Sequence, residues 1–555
     1  FLEVGPENII HFPHLLPIYR DDIVKEEIEK AVENLDKKTM ISISYYPNPE
    51  VYDVLKDLKP LIVQVKDLKI ERSTRNVLNF FIRLREILSP ETVIHVVSPI
   101  PWELIPFFIY IGVDVIDVGP YFLNVIKSGL NAIIGKDSYV FFTRINYDKI
   151  RNMNDEEKLS YVEEINKGIL DELFLKMRKA ISRGRLRELV EVFSHINQMT
   201  DATLSYLDNN YIRHFIRKIS TRKPKNHIFI SSESFNRPIV KWYEYRMKER
   251  YIPPSSVKVV ILFPCAARKP YSFSKSHNLF KKALSMGAGG KLPLVHEVMI
   301  TSPLGIVPRE LEFTYPNAHY DTTTTGNWSI EEIYHSASML DDYLNKINRN
   351  RSVSKIIVHL DGGYLEAALS SLENRTDVEY IVTSEGKHVT DYGALERLAL
   401  EIREVLKEFE VDLDMRRIRT KEDVKSILAY QYGKEVAEQF LKNGRIIGGL
   451  LSKQGLVIEN VATFEKNFGF FMPLKEGARI LVKSRKYYID LHKIPENDDI
   501  KGELVNRVDT ENILNGDIVA ISFEGEPIGI AITKMDGAWI QKAEASIVAQ
   551  LIKRF

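Results

Sequence analysis

The stretch FPCAARKPYSFSKSH, Phe263 to His277, holds the chain's only cysteine. Cys265 is followed closely by Arg268, Lys269, Tyr271, Ser274 and His277. A thiolate is a strong nucleophile, and neighbouring cations stabilise it. Lys269 and Arg268 fit that duty. His277 is of the type that moves protons near neutral pH, and one loop or helical turn would return Ser274 and His277 toward the sulfur. Most single cysteines are small buried hydrophobes, so packing is the plainer reading. The grouping of nucleophile, cation and base points instead to covalent chemistry.

The apolar run VKVVILF directly precedes this loop, and Pro264 ends it. In open α/β sheets, ligands bind where loops leave the carboxyl ends of strands. Two further strand ends carry polar loops. TSPLGIVPRELEFTYPNAHYDTTTTGNW contains Gly305, Arg309, Glu310, Tyr320 and Asp321. HLDGGYLEAA contains Asp361, Gly362 and Gly363. The glycines would let backbone approach a ligand closely, although a simple strand-to-helix turn explains them as well. Three such ends predict one shared crevice.

These loops need a scaffold. At 555 residues the chain is too long for one core. Hydrophobic content of 44% and charged content of 27% are ordinary for globular protein. One cysteine excludes an internal disulfide and any zinc site built on two or more cysteines. Lys plus Arg and Asp plus Glu number 76 each, so an RNA partner would be met by local positive charge. No apolar run approaches a membrane span, and the first residues lack a signal-peptide layout. A cytoplasmic protein is expected.

The expected fold is multidomain α/β. Residues 1–220 alternate apolar runs such as MISISYY, LIVQV, VIHVV, VDVIDV and YVFF with amphipathic helices, which suits a shortened TIM-like (β/α) barrel. RHFIRKISTRKPK (Arg213–Lys225) marks a boundary, as a solvated linker or an RNA-facing patch. Residues 221–393 form a doubly wound core with strands HIFIS, VKVVILF, EVMITS, KIIVHL and YIVTS. Residues 394–475 form a small α+β domain. Residues 476–555, with ARILVKSRKYYIDL and NGDIVAISFEGEPIGIAITKMDG, read as a small β-barrel.

The loop fits P-C-x3-K-P-Y-x2-S-x2-H in full, at Pro264, Cys265, Lys269, Pro270, Tyr271, Ser274 and His277. That pattern resembles the signature of the archaeosine synthases, archaeal enzymes of tRNA modification. PFFIYIGVDVIDVGPYFL (Pro106–Leu123) is similar to a segment of archaeal tRNA-guanine transglycosylase. YQYG (Tyr430–Gly433) and the residues after it resemble the small domain that precedes the PUA module in those proteins, and NGDIVAISFEGEPIGIAI resembles the PUA barrel. One departure matters: an active transglycosylase of that kind needs several cysteines for zinc, and this sequence has one. The barrel is therefore expected to survive as scaffold, without metal or other cofactor.

The resemblance implies a transferase acting on tRNA that carries 7-cyano-7-deazaguanine in its D-loop. It adds an amine, favoured as the side-chain amine of free lysine, to the nitrile. Direct use of glutamine or ammonia is the alternative, and a non-catalytic tRNA-binding paralogue a further one. Cys265 would be the nucleophile, giving a thioimidate that the amine displaces. Lys269 or Tyr271 would stabilise charge, His277 would move protons, and Ser274 completes the set. In the competing direct attack Asp321 would be the base. Pro264, Gly305, Arg309, Glu310, Tyr320, Asp361, Gly362 and Gly363 would line the substrate site, with Arg309 gripping the amino acid's carboxylate. Lys483, Arg485 and Lys486 in KSRKYY would face RNA, or merely decorate a barrel strand. A radical SAM partner enzyme and a homodimer are expected, and no membrane.

Overall fold

The computed structural model describes residues 40–117 and 151–555, apart from positions 46–48, 69, 71–72, 222–225, 231, 350–351 and 374. The chain divides into two compact units. One comprises Phe1–Phe215, Lys501–Glu503 and Trp539–Ser546; the other comprises Ile216–Ile500, Leu504–Ala538 and Ile547–Phe555. Among the described residues no helix is long and apolar enough to cross a membrane.

In the first unit β1 (Met40–Ser44), β2 (Ile62–Lys66), β3 (Val93–Val97) and β4 (Val115–Ile116) pair in parallel and in sequence order. Parallel neighbours need crossover helices. α1 (Pro49–Leu58), α2 (Thr74–Ile87) and α3 (Ile105–Ile111) supply them. α2 starts where the Ser73 side chain accepts the Asn76 N–H. It buries Val77, Leu78, Phe80, Phe81 and Leu84 at helical spacing. Val63, Val65, Ile94 and Val96 meet that face with no exposure. α4 (Asp155–Ser182), α5 (Leu186–Ser194) and α6 (Gln198–Lys218) follow. The expected strand YVFF, and Val118–Leu123 of the transglycosylase-like segment, lie outside the described residues.

A buried ion pair ties α5 to α6. Arg187 Nη1 and Nη2 donate to the two Asp208 oxygens at 2.5 and 2.6 Å, and its Nε donates to Glu191 at 2.9 Å.

In the second unit β5 (His227–Ile228) pairs with β9 (Tyr320–Asp321) in a ribbon of its own. The run HIFIS therefore does not join the main sheet, contrary to expectation. That sheet comprises β6 (Val259–Pro264), β7 (Val295–Thr301), β8 (Gly305–Pro308), β10 (Lys355–Val358) and β11 (Glu379–Val382), in the order β11-β10-β6-β7-β8. All pairs are parallel except β7 with β8. β6 is buried at every residue, as a strand covered on both faces must be. α8 (Lys275–Ala288) packs with α11 (Tyr392–Leu406), and α9 (Ile330–Ile347) with α10 (Gly362–Leu372). The composition of Thr301–Trp328 predicts one polar loop, and the structure differs. The first part of this segment is a hairpin into β8, whose residues are all buried.

The remainder holds α7 (Pro238–Tyr245), α12 (Met415–Tyr432), α13 (Lys434–Asn443) and a four-stranded antiparallel sheet of β12 (Ile446–Gly448), β13 (Leu456–Ile458), β14 (Ala462–Glu465) and β15 (Phe470–Pro473). α14 (Lys475–Ser484) precedes β16 (Tyr488–Leu491). β16 joins β17 (Asp499–Lys501), β18 (Val505–Val508), β19 (Ile518–Phe523), β20 (Glu526–Thr533) and β21 (Ile547–Arg554) in a six-stranded sheet. KSRKYY is thus no barrel strand. Lys483 and Ser484 close α14, Arg485 is its left-handed cap, and Tyr487 is buried. Ala478 and Leu481, buried one helical turn apart, decide the helix over the strand.

Asp208→Ala would leave the buried Arg187 guanidinium with Glu191 and the Tyr110 hydroxyl but without its bidentate carboxylate. The expected loss is about 3–5 kcal/mol of stability in the first unit, read by thermal or denaturant unfolding.

Candidate functional site

The site grows from the carboxyl end of the central strand. The Cys265 N–H, one residue past β6, donates to the Ile300 carbonyl at 3.1 Å. β-pairing therefore carries the thiol to the sheet's edge, where it is 8% exposed. Its sulfur lies 3.4 Å from the Tyr364 hydroxyl. Lys269 stands beside it. The Lys269 Nζ sits 4.0 Å from the centre of the Tyr320 ring and is buried with no hydrogen-bond partner among the described residues. Burial pushes this ammonium below its usual range, against the pull of Cys265 and Asp321.

Tyr271, Tyr320 and Thr301 form a chain of buried hydroxyls, at 2.6 Å between the tyrosines and 2.5 Å from Tyr320 to Thr301. Burial raises both phenols well above their ordinary range, and the Cys265 sulfur reinforces this. Asp321 stays exposed at the end of β9, accepting from Asn226 at 3.2 Å.

Beneath the loop lies a clamp. His277, fully buried, places Nε2 3.1 Å from the Pro264 carbonyl and Nδ1 2.9 Å from Arg309 Nη2. Arg309 also donates from Nε and Nη2 to Glu297 at 2.9 and 2.5 Å, and from Nη1 to Glu312 at 3.2 Å. Glu312 accepts the Ser272 N–H at 2.8 Å and the Ser272 hydroxyl. The Ser274 hydroxyl accepts the His277 N–H at 3.2 Å and caps α8.

Several residues expected at the substrate serve the fold here. Arg309 is committed to Glu297, Glu312 and His277, which leaves its guanidinium no free fork for a carboxylate. Both His277 ring nitrogens are engaged, and Ser274 is a helix cap. Glu310 is buried away from the thiol's partners, bonded to His296 at 3.0 Å and Tyr251 at 2.7 Å. Asp361 opens α10 and lies 3.8 Å from the His388 ring. A Cβ at Gly305 would meet Met339 at 2.6 Å, and one at Gly363 would meet Trp328 at 2.5 Å. Gly362 holds a φ of +51° and faces the Gly326 carbonyl. The glycines thus admit the chain's own segments. Lys486 pairs with Glu435 at 2.8 Å, while Lys483 and Arg485 are exposed.

Sequence reasoning missed Tyr364, Thr301 and the carboxylates that hold Arg309. Tyr364 follows Gly363 directly in the first turn of α10. An aromatic opening a helix at a strand's carboxyl end was the signal that could have found it. Among the described residues no group of three or more His, Cys, Asp or Glu is placed to hold a metal ion.

The buried rings make stability depend on pH. Burial and the Arg309 guanidinium hold His277 well below its usual range, and burial holds His359 at about 4. Unfolded, each takes up a proton near pH 6.5. Stability is therefore full above about pH 6.5 and falls as pH drops toward 4, by about 1.4 kcal/mol per pH unit for each histidine. The Glu310 carboxyl is driven upward by burial, but the His296 ring, Arg419 and the Tyr251 hydroxyl outweigh this and hold it at about 2. It adds its own loss only below the ordinary carboxylate range. Urea midpoints measured across this window should show the slope, and His359→Asn should flatten it by one proton.

Residues 239–402 match a family model described as "Domain of unknown function (DUF5591)". "Archaeosine synthase subunit alpha" of Methanosarcina acetivorans is 29% identical over 438 residues, 76% of this chain and 68% of the relative. The protein of that name from Thermococcus kodakarensis is 28% identical over 86% of this chain and 78% of its own. "Archaeosine synthase" of Methanocaldococcus jannaschii is 29% identical over 93% of this chain and 85% of its own. The likeness read in the loop around Cys265 thus extends over most of the sequence, and the chain is a relative of the archaeosine synthases.

Proposed function

We propose that this protein is a transferase of archaeosine formation in tRNA, adding an amine to the nitrile of a 7-cyano-7-deazaguanine base. The names of its relatives support the class. The observation that carries the chemistry is the pairing of the buried Cys265 sulfur with the unpartnered Lys269 ammonium over Tyr320. A nitrile is a modest electrophile, so a thiolate that adds first divides one hard step into two. Lys269 then offsets charge on the sulfur before attack and on the nitrogen after it. Free lysine is the favoured donor, and glutamine or ammonia the alternative. Since Arg309 is occupied, the donor's carboxylate is read by another group.

The target base lies inside a folded tRNA and has to be unstacked to reach Cys265. We assign the C-terminal sheet to a PUA-type module that reads RNA by shape and phosphate, with Lys483 and Arg485 among its contacts. The first unit is a shortened transglycosylase barrel kept as scaffold. A radical SAM enzyme acting on the adduct, a homodimer and a cytoplasmic setting complete the proposal.

The test is one incubation with tRNA bearing the cyano base and isotopically labelled lysine or glutamine. Digestion and mass spectrometry should show a nucleoside heavier by one whole lysine. No gain with either donor, despite tight tRNA binding, would leave a binding protein. Cys265→Ala should lower single-turnover product formation by about 10³-fold or more. Near-normal turnover would instead favour direct amine attack with Asp321 as base.

A further inference from the structure

We infer that Tyr364 is the acid that delivers a proton to the nitrile nitrogen as the carbon is attacked. The inference rests on the transferase reading and names a residue outside the signature loop.

The His277 ring bonds the Pro264 carbonyl and Arg309. The Tyr271 hydroxyl bonds Tyr320, which in turn bonds Thr301. Among the described residues the Tyr364 hydroxyl is the side-chain group hydrogen-bonded to the Cys265 sulfur, at 3.4 Å. When sulfur attacks a nitrile, the nitrogen lies one bond beyond the attacked carbon. A hydroxyl that already touches the sulfur is within reach of that nitrogen, the geometric requirement for a general acid.

The fold holds Tyr364 there. It sits in the first turn of α10, and its ring packs against Trp328 at 4.6 Å between centroids. The Gly363 N–H donates to the Gly326 carbonyl at 2.8 Å, locking the Trp328 segment over the helix start. Burial and the nearby sulfur keep the phenol protonated far above its ordinary range, so it remains a donor at neutral pH.

The step balances. The Cys265 thiolate forms the S–C bond with its electron pair, and one C≡N π pair moves to nitrogen. That nitrogen takes the Tyr364 proton, leaving a neutral thioimidate and a phenolate. The incoming alkylammonium returns one proton to the phenolate. Its free amine adds to the carbon, a proton passes from the added amine to the imine nitrogen, and the C–S bond breaks to release the thiolate. The sum is nitrile plus alkylammonium giving alkylamidinium, with cysteine and tyrosine restored.

Tyr364→Phe keeps the ring and removes only the hydroxyl. Two reactions of the variant are compared with those of the unchanged chain. One is single-turnover lysine transfer to tRNA bearing 7-cyano-7-deazaguanine. The other is alkylation of Cys265 by iodoacetamide, which expels iodide and takes up no proton, read as intact mass on the chain's only cysteine. Transfer should fall about 10²-fold or more, as for a lost general acid, with alkylation little changed. Equal loss in both would mean that Tyr364 only orients the sulfur, and undiminished transfer would remove it from the reaction. Either result overturns the inference. If the unchanged chain itself makes no amidine from any amine offered, the transferase reading falls, and this inference with it.

Discussion

The site depends on one buried cation. Arg309 gathers Glu297, Glu312 and His277 around a single guanidinium; Glu297 anchors it to β7, and the other two partners reach different parts of the cysteine loop. Through His277 it fixes the Pro264 carbonyl, and through Glu312 it fixes Ser272. A guanidinium suits this work because its rigid fork satisfies several acceptors at set angles. Removing one partner from such a buried network costs about 3–5 kcal/mol, so the loop that bears Cys265 is held from below as firmly as from the strand behind it.

A division of labour follows. The signature residues Ser274 and His277 shape the loop, while Cys265, Lys269 and Tyr271 face one another across its upper side. The second strand end contributes Thr301 and Tyr320 to the hydroxyl chain, and the third contributes Tyr364. Its glycines are small because the Gly326–Trp328 segment must pass over them. The strand ends do converge, as the doubly wound sheet requires. They converge with fewer free charges than their composition suggests, because the arginine and most carboxylates neutralise each other in the interior.

Much of this was legible in the sequence. The apolar runs VKVVILF, EVMITS, KIIVHL and YIVTS announced four strands of the main sheet; the first three are buried as continuous β-branched runs predict, while β11 at the sheet's edge is exposed to half-buried. The loop after the first of them announced the thiol. What escaped was tertiary. Nothing local distinguishes an arginine that grips a substrate from one that grips Glu297 and Glu312. The hairpin at Gly305 was hidden because Pro303, Gly305 and Pro308, with the polar residues that follow, make the segment read as loop. HIFIS has strand composition but pairs only at His227 and Ile228, and KSRKYY, read with the C-terminal barrel, opens on the last residues of α14.

Arg309 thus positions the cysteine loop instead of binding the substrate. Hydrogen exchange followed by mass spectrometry on an Arg309→Lys variant tests it most directly, because a lysine keeps the charge but loses the fork. Peptides spanning Cys265–His277 should exchange about 10-fold to 100-fold faster than in the unchanged chain, while peptides spanning β1 to β3 keep their rates. Unaltered protection of that loop would contradict the claim and return Arg309 to the substrate.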